Sequence, residues 1–418
     1  SSTILCEDVE ITFDEIVLRP PMIPAEPHAV RTAPRMQPVY LIVRRERGGD
    51  REFVVRSSLL TAGSKATIVT GSRTVSATAF EKIRTDLVDD ETQDFTDAGS
   101  RMAQLILADE VVHVLPRFSQ NHLVVVHDAF MSRVPWETLC LQDGQKTVMP
   151  AATAGVSHLY AAENLSVAKW LEERIEDDVL SMLLVVDPTS DLQGAREEGR
   201  AIQRLFAGRT GVRIDLVYQG EATRPALLEA FGSGRYDVVH YAGHAEFDEA
   251  QRERSGIVCA DGTILSGADL ATISRLPTLM FFNACESARL RGRRAARESG
   301  DSTARIESNT ERIARVERAV GMAEAFLRGG LANFLGTYWP VNDAAATAFA
   351  GTLYGALLQG TTMNAAVQQG RAAVRTAQSR DWTNYMFYGN PDFVLKVPSV
   401  VRGETVEIDV NAGSDTAE

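Results

Sequence analysis

Long apolar runs are missing from this sequence. Apolar residues make up 44 % of its 418 positions, yet no run approaches the ~20 residues that a bilayer-spanning helix needs. Cysteine is scarce as well. Cys6, Cys140, Cys259 and Cys285 are the only four, with no CxxC pair and no dense framework, which argues against a disulfide-stapled secreted fold. An excess of positive charge is also absent: the net charge of −13 disfavours nucleic acid or an anionic membrane as primary ligand. Neither an internal repeat nor a signal-like start is visible. These absences leave a soluble chain of a reducing, cytoplasmic compartment, long enough for two or three domains and a large core.

What is present is an alternation that changes character along the chain. Segments such as Val9-Glu-Ile-Thr-Phe13, Val39-Tyr-Leu-Ile-Val43 and Phe53-Val-Val55, with prolines crowding 20–38, predict a small β-rich module over 1–85. Residues 86–177 add a helical stretch near Gly99 to Leu107 and a strand at 122–127. From about 178 strands and helices alternate: Met182-Leu-Leu-Val-Val186, a helix near 195–207, Val212-Arg-Ile-Asp-Leu-Val217 and a helix near 224–232. A strand within Leu331 to Tyr338 and helices near 343–359 and 362–378 complete a core over 178–397. Strands alternating with helices of this length predict a parallel sheet covered on both faces. The polar, acidic stretch 398–418 is expected to be disordered.

Two apolar runs within that core each stop on a reactive side chain. Tyr236-Asp-Val-Val-His-Tyr-Ala-Gly-His244 ends on an imidazole, and Leu279-Met-Phe-Phe-Asn-Ala-Cys285 ends on a thiol. Chemistry in open α/β sheets gathers at the carboxyl ends of strands. Adjacent pairing would bring the two within one strand spacing, about 4.8 Å, which suits a thiolate paired with imidazole. Each residue also has a plainer role open to it, since a free cysteine is often a small buried hydrophobe and a strand-end histidine a structural one. A metal site on His240 and His244 is disfavoured, because residues four apart on a strand lie roughly 13 Å apart. No third ligand completes a site at metal spacing, so neither metal nor cofactor is expected.

His240-Tyr-Ala-Gly-His244, followed by Asn283-Ala-Cys285-Glu-Ser, resembles the catalytic pair of the CHAT-domain cysteine peptidases, relatives of caspases and separases. Further landmarks agree in order: His122-Leu-Val-Val-Val-His-Asp128, Val134-Pro-Trp-Glu-Thr-Leu139, Asp187-Pro188, Leu192-Gln-Gly-Ala-Arg-Glu-Glu198, Ala323-Glu-Ala-Phe-Leu-Arg-Gly-Gly330, Tyr338-Trp-Pro-Val-Asn-Asp343 and Phe387-Tyr-Gly-Asn-Pro-Asp392. The resemblance spans 90–397. Two departures stand out: Ala245 replaces the glycine that often follows the catalytic histidine, and 288–318 form a long Arg-rich insertion.

The resemblance implies a caspase-like three-layer α/β fold with a mostly parallel central sheet, preceded by the β-rich module. It implies a cysteine endopeptidase acting on a protein substrate, with Cys285 as nucleophile, His244 moving protons, and the backbone amides of Gly243 and Cys285 holding the oxyanion. A catalytically silent signalling or scaffold module on the same fold is the alternative. In caspase-like folds the pocket for the residue before the cut is built where Asp187 and Asp343 stand here, which implies preference for Arg or Lys. Asp187 has an alternative in shaping a turn before Pro188, and Asp343 in capping a helix. Glu286 and Trp339 are candidates for the cleft wall, with ordinary packing as their alternative.

The insertion carries nine arginines between Ala288 and Arg318 against five acids. Ser308-Asn-Thr-Glu311 reads as a capping box, which predicts a helix from near Asn309. The polar connector before it, holding Arg289, Arg291, Arg293, Arg294, Arg297 and Arg305, is of a kind that proteases nick readily. By analogy with caspases the chain is expected to be a zymogen cut there, by itself or by an upstream activating protease under a sensor. Relatives often belong to bacterial defence or programmed-death systems, which implies an antiviral role.

Overall fold

The computed structural model describes residues 2–6, 9–13, 37–61, 67–88, 94–161, 179–246, 251, 254–273, 275–284, 309–339, 341–377 and 379–395. The chain divides into two compact units, Ser1–Met36 and Gln37–Glu418. In the first, β1 (Ser2–Cys6) and β2 (Val9–Phe13) pair antiparallel.

The second unit opens with the meander β3 (Val39–Gly48), β4 (Glu52–Thr61) and β5 (Thr67–Ser76), then α1 (Ala77–Val88), α2 (Thr96–Ile106) and α3 (Asp109–Val114). After β6 (Leu123–His127) come the short hairpin β7 (Leu141–Asp143) and β8 (Lys146–Val148), then β9 (Val156–Tyr160). The alternating part runs β10 (Leu180–Val186), α4 (Gln193–Phe206), β11 (Val212–Tyr218), α5 (Arg224–Gly232) and β12 (Val238–Gly243). A small side sheet follows, from β13 (Ala245–Glu246), β14 (Gly256–Val258) and β15 (Ile264–Ser266), then the single turn α6 (Gly267–Leu270). The chain continues with β16 (Leu279–Ala284), α7 (Asn309–Arg328), β17 (Asn333–Thr337), α8 (Asp343–Leu358), α9 (Met363–Thr376) and β18 (Tyr385–Tyr388).

Eleven strands join one sheet in the order β11-β10-β12-β16-β17-β18-β9-β6-β3-β4-β5. Pairing is parallel except at β17/β18, β3/β4 and β4/β5. This corrects the expected domain boundaries. Residues 37–85 are not a separate module, because β3 pairs with β6 residue for residue from Val39↔Leu123 to Val43↔His127. The stretch 86–177, expected as the amino-terminal part of the same region, joins that sheet, since Tyr388 of β18 pairs with His158 of β9.

The central strands are largely apolar because both faces are covered, with Ser181, His240 and Asn283 as polar exceptions. Side chains alternate across a strand, so the runs split into two layers. Met182, Leu184, Val186, Leu279 and Phe281 pack on one face with Ile202 and Phe206 of α4 and Phe349 and Leu353 of α8. Leu183, Val185, Val239, Tyr241, Met280 and Phe282 pack on the other with Leu227 and Phe231 of α5 and Phe326 of α7. Each such side chain contributes about 2 kcal/mol by leaving water. Helix starts follow ordinary capping chemistry: Thr223, Asn342 and Thr362 accept the amides of Ala226, Ala345 and Ala365 at α5, α8 and α9. Gly199 lets α4 lie against β10 near the site, where a Cβ would come within 2.6 Å of Val186. No described helix is long and apolar enough to cross a membrane.

Candidate active site

The site is laid out by strand register. β12 and β16 pair parallel from Val238↔Leu279 to Gly243↔Ala284, so their carboxyl ends are flush and positions 244 and 285 follow directly from a matched pair. Cys285 itself, with Glu286, Arg289, Arg291, Arg293, Arg294, Arg297 and Arg305, lies outside the described residues, as do Ser308 and the stretch 398–418. The helix expected from near Asn309 runs Asn309–Arg328.

His244 leaves the sheet at the end of β12 with its side chain 29 % exposed. Its carbonyl accepts the Val258 amide at 3.0 Å and also the Tyr241 hydroxyl. Gly243 leaves room for that hydroxyl, since a Cβ there would lie 2.4 Å from the Tyr241 oxygen. The imidazole Nε2 lies 3.1 Å and 3.0 Å from the two carboxylate oxygens of Asp191. Asp191 also accepts the Thr189 hydroxyl. Partial burial works against its charge, but the bonds from Thr189 and His244 outweigh this and hold the carboxyl below its usual range.

Asp191 was not foreseen from the sequence. It sits in the turn between β10 and α4, 53 residues from His244, and the available signal was its place at the carboxyl end of a central strand. Glu198 on α4 was also missed. Its carboxylate accepts Asn283 Nδ2 at 2.9 Å and 3.0 Å and approaches His240 Nε2 at 3.3 Å, tying α4 to both active-site strands. His240 is fully buried, with Nδ1 2.9 Å from the Tyr354 hydroxyl and its ring edge-on to Phe281.

Other expected site residues fall elsewhere or play other parts. Asp187 does not face an open pocket. Its side chain is fully buried, Oδ1 accepts the amides of Asp191 and Leu192, and Oδ2 accepts Arg196 Nη1 at 2.9 Å. The expectation that it walls a pocket for a cationic side chain is corrected on that ground, because its charge is already paired with Arg196. Asp343 begins α8, but Asn342 is the cap, and the Asp343 side chain is outside the described residues. Trp339 is packed between Tyr338 and the Arg380 guanidinium, 5.1 Å above its ring.

The Gly243 amide also proves differently placed. Neighbouring residues of a strand turn their peptide groups to opposite sides. The Ala242 carbonyl faces β10, where it accepts the Asp187 amide at 2.8 Å. The Gly243 amide therefore faces β16 and belongs to the ladder with Ala284. Ala245 differs: the bond of that pair runs from Val258 to His244, leaving the Ala245 amide turned away from Ile257.

Burial pushes the thiols of Cys140 and Cys259 up to about 12 and about 11, so neither is a nucleophile at neutral pH. Among the described residues no group of three His, Cys, Asp or Glu side chains is arranged to hold a metal.

A family profile described as the CHAT domain matches residues 96–390. Two crystal structures of the Saccharomyces cerevisiae separase–securin complex are similar to this chain, at 15 % and 13 % identity and TM-scores of 0.39 and 0.40. In both, the match covers 65 % of this chain and 16 % of the other, so the chain corresponds to a small part of those proteins. A search of curated protein sequences finds no match. With more than half its length matched by the profile, the chain belongs to the CHAT-domain family of caspase-like cysteine peptidases.

Proposed function

We propose that this chain is a cysteine endopeptidase working through a His244–Cys285 dyad. The observation that carries the reading is the flush register of β12 and β16, whose last matched pair, Gly243↔Ala284, immediately precedes His244 and Cys285 in the sequence. The Cys285 thiolate attacks the scissile carbonyl carbon, and the carbonyl π electrons move to oxygen. As the tetrahedral adduct collapses the C–N bond breaks, and the imidazolium of His244 gives its proton to the departing amine. Water then adds to the thioester, the imidazole takes its proton, and the thiolate leaves. The amides of Cys285 and Ala245 are the proposed oxyanion donors, Ala245 taking the place first expected of Gly243 because its N–H is not engaged by β14.

Cleavage after Arg or Lys is the proposed specificity. Its support is now Asp343, which Asn342 relieves of the capping role. The arginines at 289, 291, 293, 294, 297 and 305 make the insertion a matching site for activation by cleavage, with an upstream protease or sensor as partner. A cytoplasmic defence or cell-death pathway is the setting this reading implies.

The test is a peptidyl thiol probe carrying Arg, combined with mass-spectrometric mapping of cut sites in the protein and in added substrates. Labelling confined to Cys285, lost in His244→Ala, with cuts after Arg is expected. Wild-type cleavage by Cys285→Ala would end the reading, and uniform labelling of every exposed thiol would leave a scaffold instead of an enzyme.

A further inference from the structure

We propose that Asp191 is the positioning residue for His244, making the dyad a Cys–His–Asp triad in which the carboxylate fixes the imidazole tautomer. The inference rests on the reading of His244 as the proton-transfer group. It goes beyond that reading by naming what holds the ring and which nitrogen does the work.

Geometry carries it. Nε2 is almost equidistant from both Asp191 oxygens, at 3.1 Å and 3.0 Å. A carboxylate only accepts, so the proton sits on Nε2. Nδ1 is then the basic nitrogen, and it has no hydrogen-bond partner among the described residues. A ring pinned by one nitrogen and basic at the other is the arrangement a proton carrier needs.

The turn that presents Asp191 is held more firmly than a chance surface pair requires. The Asp187 amide donates to the Ala242 carbonyl, so the turn is stitched to the strand that ends in His244. The Asp187 carboxylate then accepts the amides of Asp191 at 3.0 Å and Leu192 at 2.9 Å, and Arg196 clamps its other oxygen. The Ser190 amide returns to the Asp187 carbonyl at 3.0 Å. Asp187 and Ser190 have φ of 46° and 64°, a conformation disfavoured for side chains with a Cβ. Such backbone persists where surrounding bonds over-determine it. The Asp187–Arg196 pair thus serves the turn, and Asp191 is what the turn delivers to the imidazole.

The experiment compares the full chain with Asp191→Asn, Asp191→Ala and Asp191→Glu by two measurements. The first is ¹⁵N NMR of the imidazoles, with the His244 signals assigned by their loss in His244→Gln. In a Cys285→Ala background, where no thiol proton reaches the ring, the neutral imidazole should show the Nε2–H form, and adding Asp191→Asn, whose amide can donate to Nε2, should shift it toward Nδ1–H. The second is peptide turnover. Asp191→Asn should lower kcat about 100-fold with KM within about twofold, less than the ~10⁴-fold known for the wrong tautomer in serine proteases because a thiol ionises more easily. Asp191→Glu should recover part of the loss. An unchanged His244 tautomer in Asp191→Asn overturns the proposal, whether or not turnover falls. A chain that cleaves no peptide sinks the peptidase reading alone, since the tautomer shift still decides the role of Asp191.

Discussion

His158 and Glu137 meet at 2.8 Å with both side chains fully buried, whereas His244 and Asp191 meet at 3.0 Å with 29 % and 44 % of their side chains exposed. The residue types are nearly the same, but the surroundings are not. Glu137 also accepts Arg371 Nη2 at 2.8 Å, and Arg371 reaches the carbonyls of Val156 and Tyr385, so α9 is bolted to β9 and β18. Burial alone would raise the Glu137 carboxyl, but His158 and Arg371 together hold it below its ordinary value. His158 and Arg371 both bond Glu137 Oε1 in the closed interior, where no substrate can reach the carboxylate. The pair at the rim keeps one imidazole nitrogen unengaged among the described residues. Burial makes the first pair structural, even though His158 Nδ1 and Glu137 Oε2 carry no hydrogen bond among the described residues; what sets the second pair apart is its exposure at the strand ends, where the proposed proton transfer needs it.

The comparison breaks first at the rate of reaction. His244→Ala should lower kcat by at least ~10³-fold, about 4 kcal/mol in barrier, and leave the unfolding midpoint within the small shift usual for a surface substitution. Peptide turnover beside denaturant unfolding checks both halves. A large loss of stability with modest loss of rate would reverse the two assignments.

Breaking the buried network should do the opposite. Arg371→Ala strands the Glu137 charge in the interior and should cost about 3–5 kcal/mol in unfolding free energy. A cost below about 1 kcal/mol would show that the network adds nothing net.

Acid should find the same interior region. Burial lowers His127 to about 3 and His122 to about 4. An unfolded chain takes up these protons near pH 6.5. Between about 6.5 and 4 the unfolded state therefore binds more protons than the folded one, and stability falls as pH falls through that window. The loss by pH 4 is on the order of 3 kcal/mol for each histidine. Glu137, whose folded value is depressed, adds a loss only as pH drops below the ordinary carboxylate range. Unfolding curves at pH 7 and pH 4.5 measure this, and a flat response would contradict it.

The smallest effect tests the neighbouring His240. His240→Gln, which keeps a polar partner for Tyr354, should change kcat by less than about threefold and cost roughly 1–2 kcal/mol of stability. A kcat loss as large as that of His244→Ala would move His240 into the chemistry.

Much of the central sheet was legible because a buried parallel strand must be apolar on both faces. Leu180–Val186, Val238–Gly243 and Leu279–Ala284 stand out for that reason, and their connecting helices fall close to where periodicity places them. The extension of the sheet through β18, β9, β6 and β3 was not legible. The joining contact is Tyr388↔His158, a pairing between residues far apart in sequence that no local pattern records. The side sheet of β13, β14 and β15 escaped as well, since its strands are only two or three residues long.

Sequence by itself determined which residues follow the last matched pair of two adjacent buried strands, because residue order along an apolar run decides what comes after its carboxyl end. It also determined the net acidity of the chain and its Arg-rich insertion, which are matters of composition. Tertiary structure alone decided what the carboxylates do. Asp187, Asp191, Glu137 and Glu198 are alike as letters, but one shapes a turn, one meets His244, and two lie in the interior with partners on distant elements. The reason is physical: a carboxylate's role depends on how far it is desolvated and which donors surround it, and both follow from contacts made across the fold.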